Sequence, residues 1–121
     1  MSDSKRLAPH IFRQRLLIEV FYNRSLDEEA IRKFLYDLAA GLGLGTYREP
    51  FVSSSSGIGA DVNQGFEAFL PLIESGIALY TWNQDQFFST VLFTCKAFDE
   101  AKAVEIVAQR FAATIVAYKS F

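Results

Sequence analysis

Residues 74–95, ESGIALYTWNQDQFFSTVLFTC, decide the fold of this chain. The apolar run IALYTW follows Ser75-Gly76, and the largely apolar residues 64–74, QGFEAFLPLIE, precede it, so two strands are predicted to meet at a tight Glu-Ser-Gly turn. The run FFSTVLFTC at 87–95 alternates only weakly and is rich in aromatic side chains. Such a pattern is typical of a strand that is buried on both faces or against a partner subunit.

A strand and a helix are predicted upstream of this segment. Residues 15–22, RLLIEVFY, form a branched and aromatic run that is typical of a buried strand. Ser25, with Glu28 three residues later, is a capping-box pattern that predicts the start of a helix. Residues 46–56 then predict an edge strand that tolerates Pro50 and runs into a serine-rich loop. The apolar face of the helix is expected at Ala30, Ile31, Phe34, Leu35 and Leu38.

A second helix and a closing strand are predicted in the C-terminal part. Asp99 can cap a second helix, and residues 113–118 resemble a closing strand. The inward stripe of this helix is expected at Val104, Val107, Ala108 and Phe111. The predicted order is therefore β-α-β-β-β-β-α-β. Strands outnumber helices, which favours an α+β fold: a two-layer sandwich in which both helices cover one face of an antiparallel sheet.

The length and the charge of the chain limit its organisation and its partners. A chain of 121 residues, half of them apolar, is of the size of one domain, which we place at residues 15–121 behind an N-terminal tail of residues 1–14. The balance of 14 acidic and 12 basic residues argues against capture of nucleic acid or of an anionic membrane. No apolar run approaches the roughly 20 residues of a membrane span, and the polar start does not resemble a secretion signal, so a cytoplasmic protein is expected.

Cysteine and histidine are scarce in this sequence. Cys95 is the one cysteine, which excludes an internal disulfide and a cysteine-rich metal site and suits a reducing compartment. His10 is the one histidine and belongs to the predicted tail. We therefore expect neither a metal nor an internal Ser-His-Asp triad.

Three short motifs in the central segment carry a family resemblance: Glu74-Ser75, Thr81-Trp82 and Phe93-Thr94-Cys95. With this spacing, the segment resembles the pyruvoyl-dependent S-adenosylmethionine decarboxylases of the short bacterial and archaeal type. The corresponding stretch of that family carries Glu-Ser-His, His-Thr-Trp-Pro-Glu and Phe-Thr-Cys. The run RLLIEVFY is similar to that family's first strand, and Gln64-Gly65 falls at a glycine-containing loop, so the resemblance covers nearly the whole chain.

The resemblance implies that the chain is a zymogen that cleaves itself at Glu74-Ser75. In the family, the serine hydroxyl attacks the preceding carbonyl carbon, and elimination and hydrolysis then leave a pyruvoyl group on the new N-terminus. This group replaces pyridoxal phosphate, because its ketone reacts with the substrate amine and withdraws electrons while carbon dioxide leaves. The implied function is decarboxylation in polyamine (spermidine) biosynthesis by a homodimer that acts on a small-molecule substrate.

The resemblance also assigns roles to Cys95 and Tyr80. Cys95 matches the residue that returns a proton to the product, although a lone cysteine in an apolar strand is more often a small buried hydrophobe. Tyr80 occupies the position of a histidine that assists self-cleavage. A phenol is a poorer proton carrier than an imidazole at neutral pH, so this departure places the processing in question.

The predicted substrate-binding residues are Glu19, Glu67, Trp82 and Gln84. Glu19 is either a contact to the substrate amine or the solvent-facing residue of its strand. Gln84 replaces a glutamate that holds the ribose hydroxyls, and its amide carries no charge. Glu67 replaces a small serine of the substrate loop, and Asp61 replaces an aromatic residue that stacks on adenine.

These departures leave other functions open. The chain could decarboxylate a smaller amino acid that does not need the adenosine contacts. It could also be an uncleaved, non-catalytic paralogue that acts as a dimeric partner or regulator. An unrelated α/β binding domain would require the three matching motifs to be accidental.

Overall fold

The computed structural model describes residues 7–121, so the first six residues of the predicted tail lie outside the described residues. The predicted order of strands and helices is confirmed. The elements are β1 (Gln14–Phe21), α1 (Glu28–Gly41), β2 (Phe51–Ser54), β3 (Phe66–Leu72), β4 (Ser75–Trp82), β5 (Phe87–Thr94), α2 (Glu100–Arg110) and β6 (Ile115–Ser120), with a short 3-10 helix (Asp61–Asn63) between β2 and β3.

The six strands form one antiparallel sheet in the order β2-β3-β4-β5-β1-β6. The prediction of a two-layer α+β fold is confirmed, because buried residues of both helices and of alternate strand positions join in one core. The strand at Phe51–Ser54 lies at the edge of the sheet, as the proline before it predicts.

Aromatic contacts anchor the helices to the sheet. The ring of Phe34 on α1 lies 5.8 Å from that of Phe88 on β5 and 4.6 Å from that of Phe111, which follows α2. All three side chains are buried. Beside them, the carboxylate of Asp37 on α1 accepts hydrogen bonds from Lys33 and from Arg110 on α2. These bonds hold the pKa of the Asp37 carboxyl below its usual value and connect the two helices.

The prediction of the first helix cap was wrong. Ser25 and Glu28 do not form a capping box; instead Asp27 is the N-cap, and its side chain accepts a hydrogen bond from the amide of Ala30 at 2.7 Å. An aspartate directly before the first helical residue satisfies the free amide without a longer loop. The second helix is capped by Asp99, as predicted, through the amide of Lys102.

Two predicted strand boundaries also differ from the structure. The hairpin turn between β3 and β4 consists of Ile73 and Glu74, because Leu72 pairs with Ser75 and thereby makes Ser75 the first residue of β4. The last strand begins at Ile115 because the chain first closes α2 with Ala112 at φ 47°. A left-handed residue at this position ends the helix and redirects the chain into the sheet.

The face of the sheet that points away from the helices, here called the open face, is covered by no helix of residues 7–121. Its large side chains are 40% to 62% exposed: Phe21, Phe69, Tyr80, Phe93 and Ile115. Exposed apolar side chains of this kind are typical of interaction surfaces. Neither helix has the length and apolar character that crossing a membrane requires, within the described part of the chain.

Candidate active site

The β3-β4 turn and the end of β5 bring together three residues that the sequence singled out. The amide of Cys95 donates a hydrogen bond to the carbonyl oxygen of Glu74 at 3.0 Å. The Ser75 hydroxyl oxygen lies 3.5 Å from the Cys95 sulfur, within the distance of a hydrogen bond to sulfur. Ser75 pairs with Thr94 in the sheet, so the register of β4 against β5 sets this geometry.

Ser75 has a strained backbone. Its φ is 123°, a value that residues other than glycine rarely adopt. Such a conformation costs on the order of 1–3 kcal/mol and persists only where the surroundings impose it. Here the surroundings are the sheet pairs of Ser75 with Leu72 and with Thr94. The strained torsion is that about the N–Cα bond of Ser75, on the amine side of the Glu74–Ser75 peptide bond, so a rearrangement that breaks this peptide bond would relieve it.

The arrangement supplies two groups that an attack on the Glu74 carbonyl requires. The Ser75 hydroxyl is the adjacent nucleophile, and the Cys95 amide already donates to the oxygen on which negative charge would develop. The Cys95 side chain is exposed and free of disulfide bonds, so the interpretation of this cysteine as a small buried hydrophobe was wrong. A thiol at this place can donate or accept a proton.

Gly76, which stands where the resembling family has a histidine, lies under the ring of Phe69. A Cβ atom at position 76 would lie 2.3 Å from the ring carbon Cζ of Phe69. The position therefore admits no side chain while Phe69 keeps its place on the neighbouring strand. The sequence shows the glycine but not the ring that occupies the space.

Thr81 of the Thr81-Trp82 motif has a structural role. Its buried hydroxyl accepts a hydrogen bond from the amide of Phe66 at 2.8 Å and donates one to Asn83 at 3.0 Å. Its carbonyl oxygen would lie 1.8 Å from a Cβ atom on Gly65, so only glycine fits there. The matching residues Gly65 and Thr81 therefore hold β3 and β4 together at this point.

Four polar residues form one row across the open face. Glu67, Tyr80, Ser89 and Glu19 are successive partners on β3, β4, β5 and β1. Side chains paired in this way stand about 5 Å apart, so two carboxylates flank a phenol and a hydroxyl on one surface. Glu19 is half-buried in this row, which leaves both of its predicted roles open.

Trp82 and Gln84 lie beyond this row, at the far end of β4. The Trp82 ring packs 5.4 Å from that of Phe87, which in turn lies 5.0 Å from Phe21. These aromatic residues, with Val62, Asn63 and Asp85, line a cavity of about 530 Å³. Gln84 is exposed in the β4-β5 turn, and Asp61 is exposed in the short 3-10 helix.

The remaining predicted site residues are far from Ser75 within one chain. Tyr80 follows Ser75 by five residues of a continuous strand, which separates their Cα atoms by about 16 Å, and Trp82 follows by about 23 Å. One chain therefore joins Glu74, Ser75 and Cys95, but it does not bring Tyr80, Trp82 or Gln84 to them.

Sequence reasoning missed Lys96. It directly follows Cys95, and with Glu74 and the loop of residues 43–45 it lines a cavity of about 240 Å³ beside the turn. Its position immediately after the matched Phe-Thr-Cys motif was the available signal. No group of three or more metal-ligating side chains is found among residues 7–121, and the site is a backbone and side-chain arrangement around one serine.

The strain at position 75 predicts an unusual order of stabilities. Ser75→Gly and Ser75→Ala both remove the hydroxyl, but only glycine adopts a φ of 123° without steric cost. After the flexibility cost of glycine, we expect the glycine variant to be more stable than the alanine variant by about 1 kcal/mol. Urea unfolding of the two variants measures the difference. Equal stabilities, or a more stable alanine variant, would show that the backbone is not strained there.

Comparison with known proteins agrees with the fold. The fold is similar to that of the crystal structure of the adenosylmethionine decarboxylase from Aquifex aeolicus, with a TM-score of 0.69 and 15% sequence identity over 92% of this chain and 89% of that chain. At this identity the similarity establishes the fold. Among proteins of curated function, none matches the sequence. The family model described as S-adenosylmethionine decarboxylase matches residues 16–121, so this chain belongs to the S-adenosylmethionine decarboxylase family.

Proposed function

We propose that the chain is a pyruvoyl-dependent decarboxylase of S-adenosylmethionine in spermidine biosynthesis, formed as a zymogen that cleaves itself between Glu74 and Ser75. The observation that carries this proposal is the strained Ser75, whose hydroxyl lies next to a carbonyl that already accepts a hydrogen bond from Cys95. The free thiol of Cys95 fits a reducing compartment such as the cytoplasm.

The first step is a transfer of the Glu74 acyl group from nitrogen to oxygen. The Ser75 hydroxyl oxygen bonds to the carbonyl carbon of Glu74, the bond from this carbon to the Ser75 nitrogen breaks, and the hydroxyl proton passes to the freed amine. The product is an ester in a chain that is still connected. The Cys95 amide stabilises the negative charge that the Glu74 oxygen carries on the way, and release of the φ of 123° favours the forward direction.

The residues fit a pyruvoyl group derived from Ser75. It would head the fragment of residues 75–121 at the first position of β4, beside the Cys95 sulfur, which lies 3.5 Å from the serine oxygen. When present, the group supplies a ketone that withdraws electrons from the substrate carbon. The Cys95 thiol then holds the proton that the product carbon receives.

The distances along β4 support a homodimer. Tyr80 lies about 16 Å from Ser75 of its own chain along a continuous strand, so it can assist cleavage only at the Ser75 of a second copy. We propose that two open faces pack across a two-fold axis with their β4 strands antiparallel. The Tyr80 end of one strand then approaches the Ser75 end of the other. The exposed apolar residues Phe69 and Phe93 become part of this interface.

The same packing would complete the substrate site. The cavity at Trp82, Phe87 and Phe21 has the aromatic lining that a flat purine base requires. Glu19 and Glu67 in the polar row supply negative charge toward a substrate that carries a sulfonium and an ammonium. This combination favours S-adenosylmethionine over a smaller amino acid, which would leave the aromatic cavity empty.

The proposal predicts two fragments from one translated chain. Intact-mass measurement of the purified protein should give residues 1–74 and residues 75–121 with a pyruvoyl end. Ser75→Ala should give one full-length mass, because the variant lacks the attacking oxygen. Ser120→Ala, which also removes a serine hydroxyl from a strand, serves as the matched control and should be cleaved as the unaltered chain is. A single full-length mass for the unaltered chain would favour the uncleaved paralogue instead.

A second prediction concerns the dimer. Val91 lies half-buried on the open face of the central strand β5, between Ala78 and Leu17. Val91→Lys should turn the dimer into a monomer, because a lysine would place its charge in the packed interface. Tyr118→Lys, an exposed position on the edge strand β6, should leave the dimer intact. Sedimentation equilibrium measures the mass in solution, and a Val91→Lys dimer or a monomeric unaltered protein would contradict the arrangement.

A further inference from the structure

The cavity beside the β3-β4 turn is lined by a cationic side chain, Lys96, that the proposed acyl transfer does not use. It has a volume of about 240 Å³, and its lining includes Glu74, Ile73 and the loop residues Gly43 and Gly45. Lys96 supplies the ammonium on its remaining side. Lys96 and Glu74, the residue on the acyl side of the proposed cleavage bond, line the same cavity. The cavity is therefore suited to an anion formed at Glu74.

Lys96 is held at this place through both its backbone and its side chain. The buried hydroxyl of Thr94 donates to the Lys96 carbonyl oxygen at 2.6 Å. The ammonium donates to the carbonyl oxygen of Gly43 at 3.1 Å, which uses one of its three donors. No carboxylate within residues 7–121 forms an ion pair with it.

The loop of residues 43–45, to which Lys96 is hydrogen-bonded, contacts the β3-β4 turn. The amide of Ile73 donates to the carbonyl oxygen of Gly45 at 2.9 Å, and Thr46 pairs with Leu72 in an isolated bridge. A Cβ atom on Gly45 would lie 2.7 Å from the side chain of Ile73, so loop and turn are in close contact. Through its bond to Gly43, the ammonium is therefore attached to a loop that contacts the turn beside Glu74.

The step after acyl transfer creates a negative charge on Glu74. A base removes the Cα proton of Ser75, and the electron pair forms a double bond between Cα and Cβ. The bond from Cβ to the ester oxygen then breaks, and Glu74 leaves with the electron pair as a new C-terminal carboxylate. The barrier falls when a cation stabilises this leaving group.

We propose that Lys96 is the counter-ion of the Glu74 carboxylate as it leaves, and that the cavity holds this carboxylate once the chain is cut. The inference rests on the proposed self-cleavage and assigns a residue to its second step. Glu74 lines the same cavity as Lys96, so the carboxylate formed at Glu74 would lie at a wall of the cavity that holds the ammonium. The first step needs no such cation, because it forms an ester without net charge.

The test separates the two steps of cleavage. Freshly translated Lys96→Met, Lys96→Arg and unaltered chains are followed over time by intact mass, with and without hydroxylamine, which cuts an ester at once. Lys96→Met should accumulate hydroxylamine-sensitive ester. It should release fragments at roughly a tenth of the unaltered rate or below, which corresponds to a rise of about 1.4 kcal/mol or more in the activation free energy. Lys96→Arg should restore most of the rate. Lys102→Met, an exposed lysine on α2, is the matched control and should behave as the unaltered chain.

The outcomes distinguish this inference from the function on which it rests. Fragment release from Lys96→Met at the unaltered rate would overturn the role of Lys96 and leave self-cleavage standing. Slower cleavage without accumulated ester would also overturn it, because the lysine would then act on the acyl transfer through the loop. An unaltered chain that yields neither ester nor fragments would refute the proposed function, and the inference with it.

Discussion

The hydrogen bond from the Cys95 amide to the Glu74 carbonyl oxygen is the constraint on which the candidate site depends. It closes the β3-β4 turn onto the end of β5, one residue beyond the last sheet pair of Ser75 with Thr94. Ser75, the first residue after the turn, cannot relax, because the sheet holds it on both sides. The sheet register and this backbone bond thereby bring a hydroxyl, a carbonyl and a thiol together.

The rest of the fold serves to keep this turn in place. Phe34, Phe88 and Phe111 anchor the helices to one face of the sheet, and the loop that follows α1 reaches the turn through Gly45. The opposite face stays open and carries the polar row and the aromatic cavity. One chain thus holds the residues of the proposed cleavage at one end of β4 and the candidate substrate contacts at the other. A two-fold arrangement of two chains would give each end the partner that it lacks.

Much of the architecture follows from patterns that the sequence displays. Periodicity predicts the order of the strands and helices, and the motifs at Glu74-Ser75 and Phe93-Thr94-Cys95 predict the family. Local choices were harder to predict. Ser25 and Asp27 are both able to cap a helix, and only the path of the chain after β1 selects Asp27. The turn was placed one residue late because Ser-Gly is a turn pair by composition, whereas the sheet register includes Ser75 in β4.

The site was only partly visible in the sequence, because much of it depends on contacts between distant residues. The φ of Ser75 is imposed by two neighbouring strands, and no local pattern encodes it. Lys96 acquires its proposed role only when the loop at Gly43, 53 residues away along the chain, folds against it. The separation of Tyr80 from Ser75 likewise appears only once β4 is seen to be continuous.

Trapping of a carbonyl group at residue 75 tests the central claim most directly. The purified protein is treated with a hydrazine, digested and analysed by mass spectrometry. The account predicts a hydrazone on the peptide that begins at position 75, with no serine at its N-terminus. An unlabelled peptide that runs continuously through Glu74 and Ser75 would contradict it.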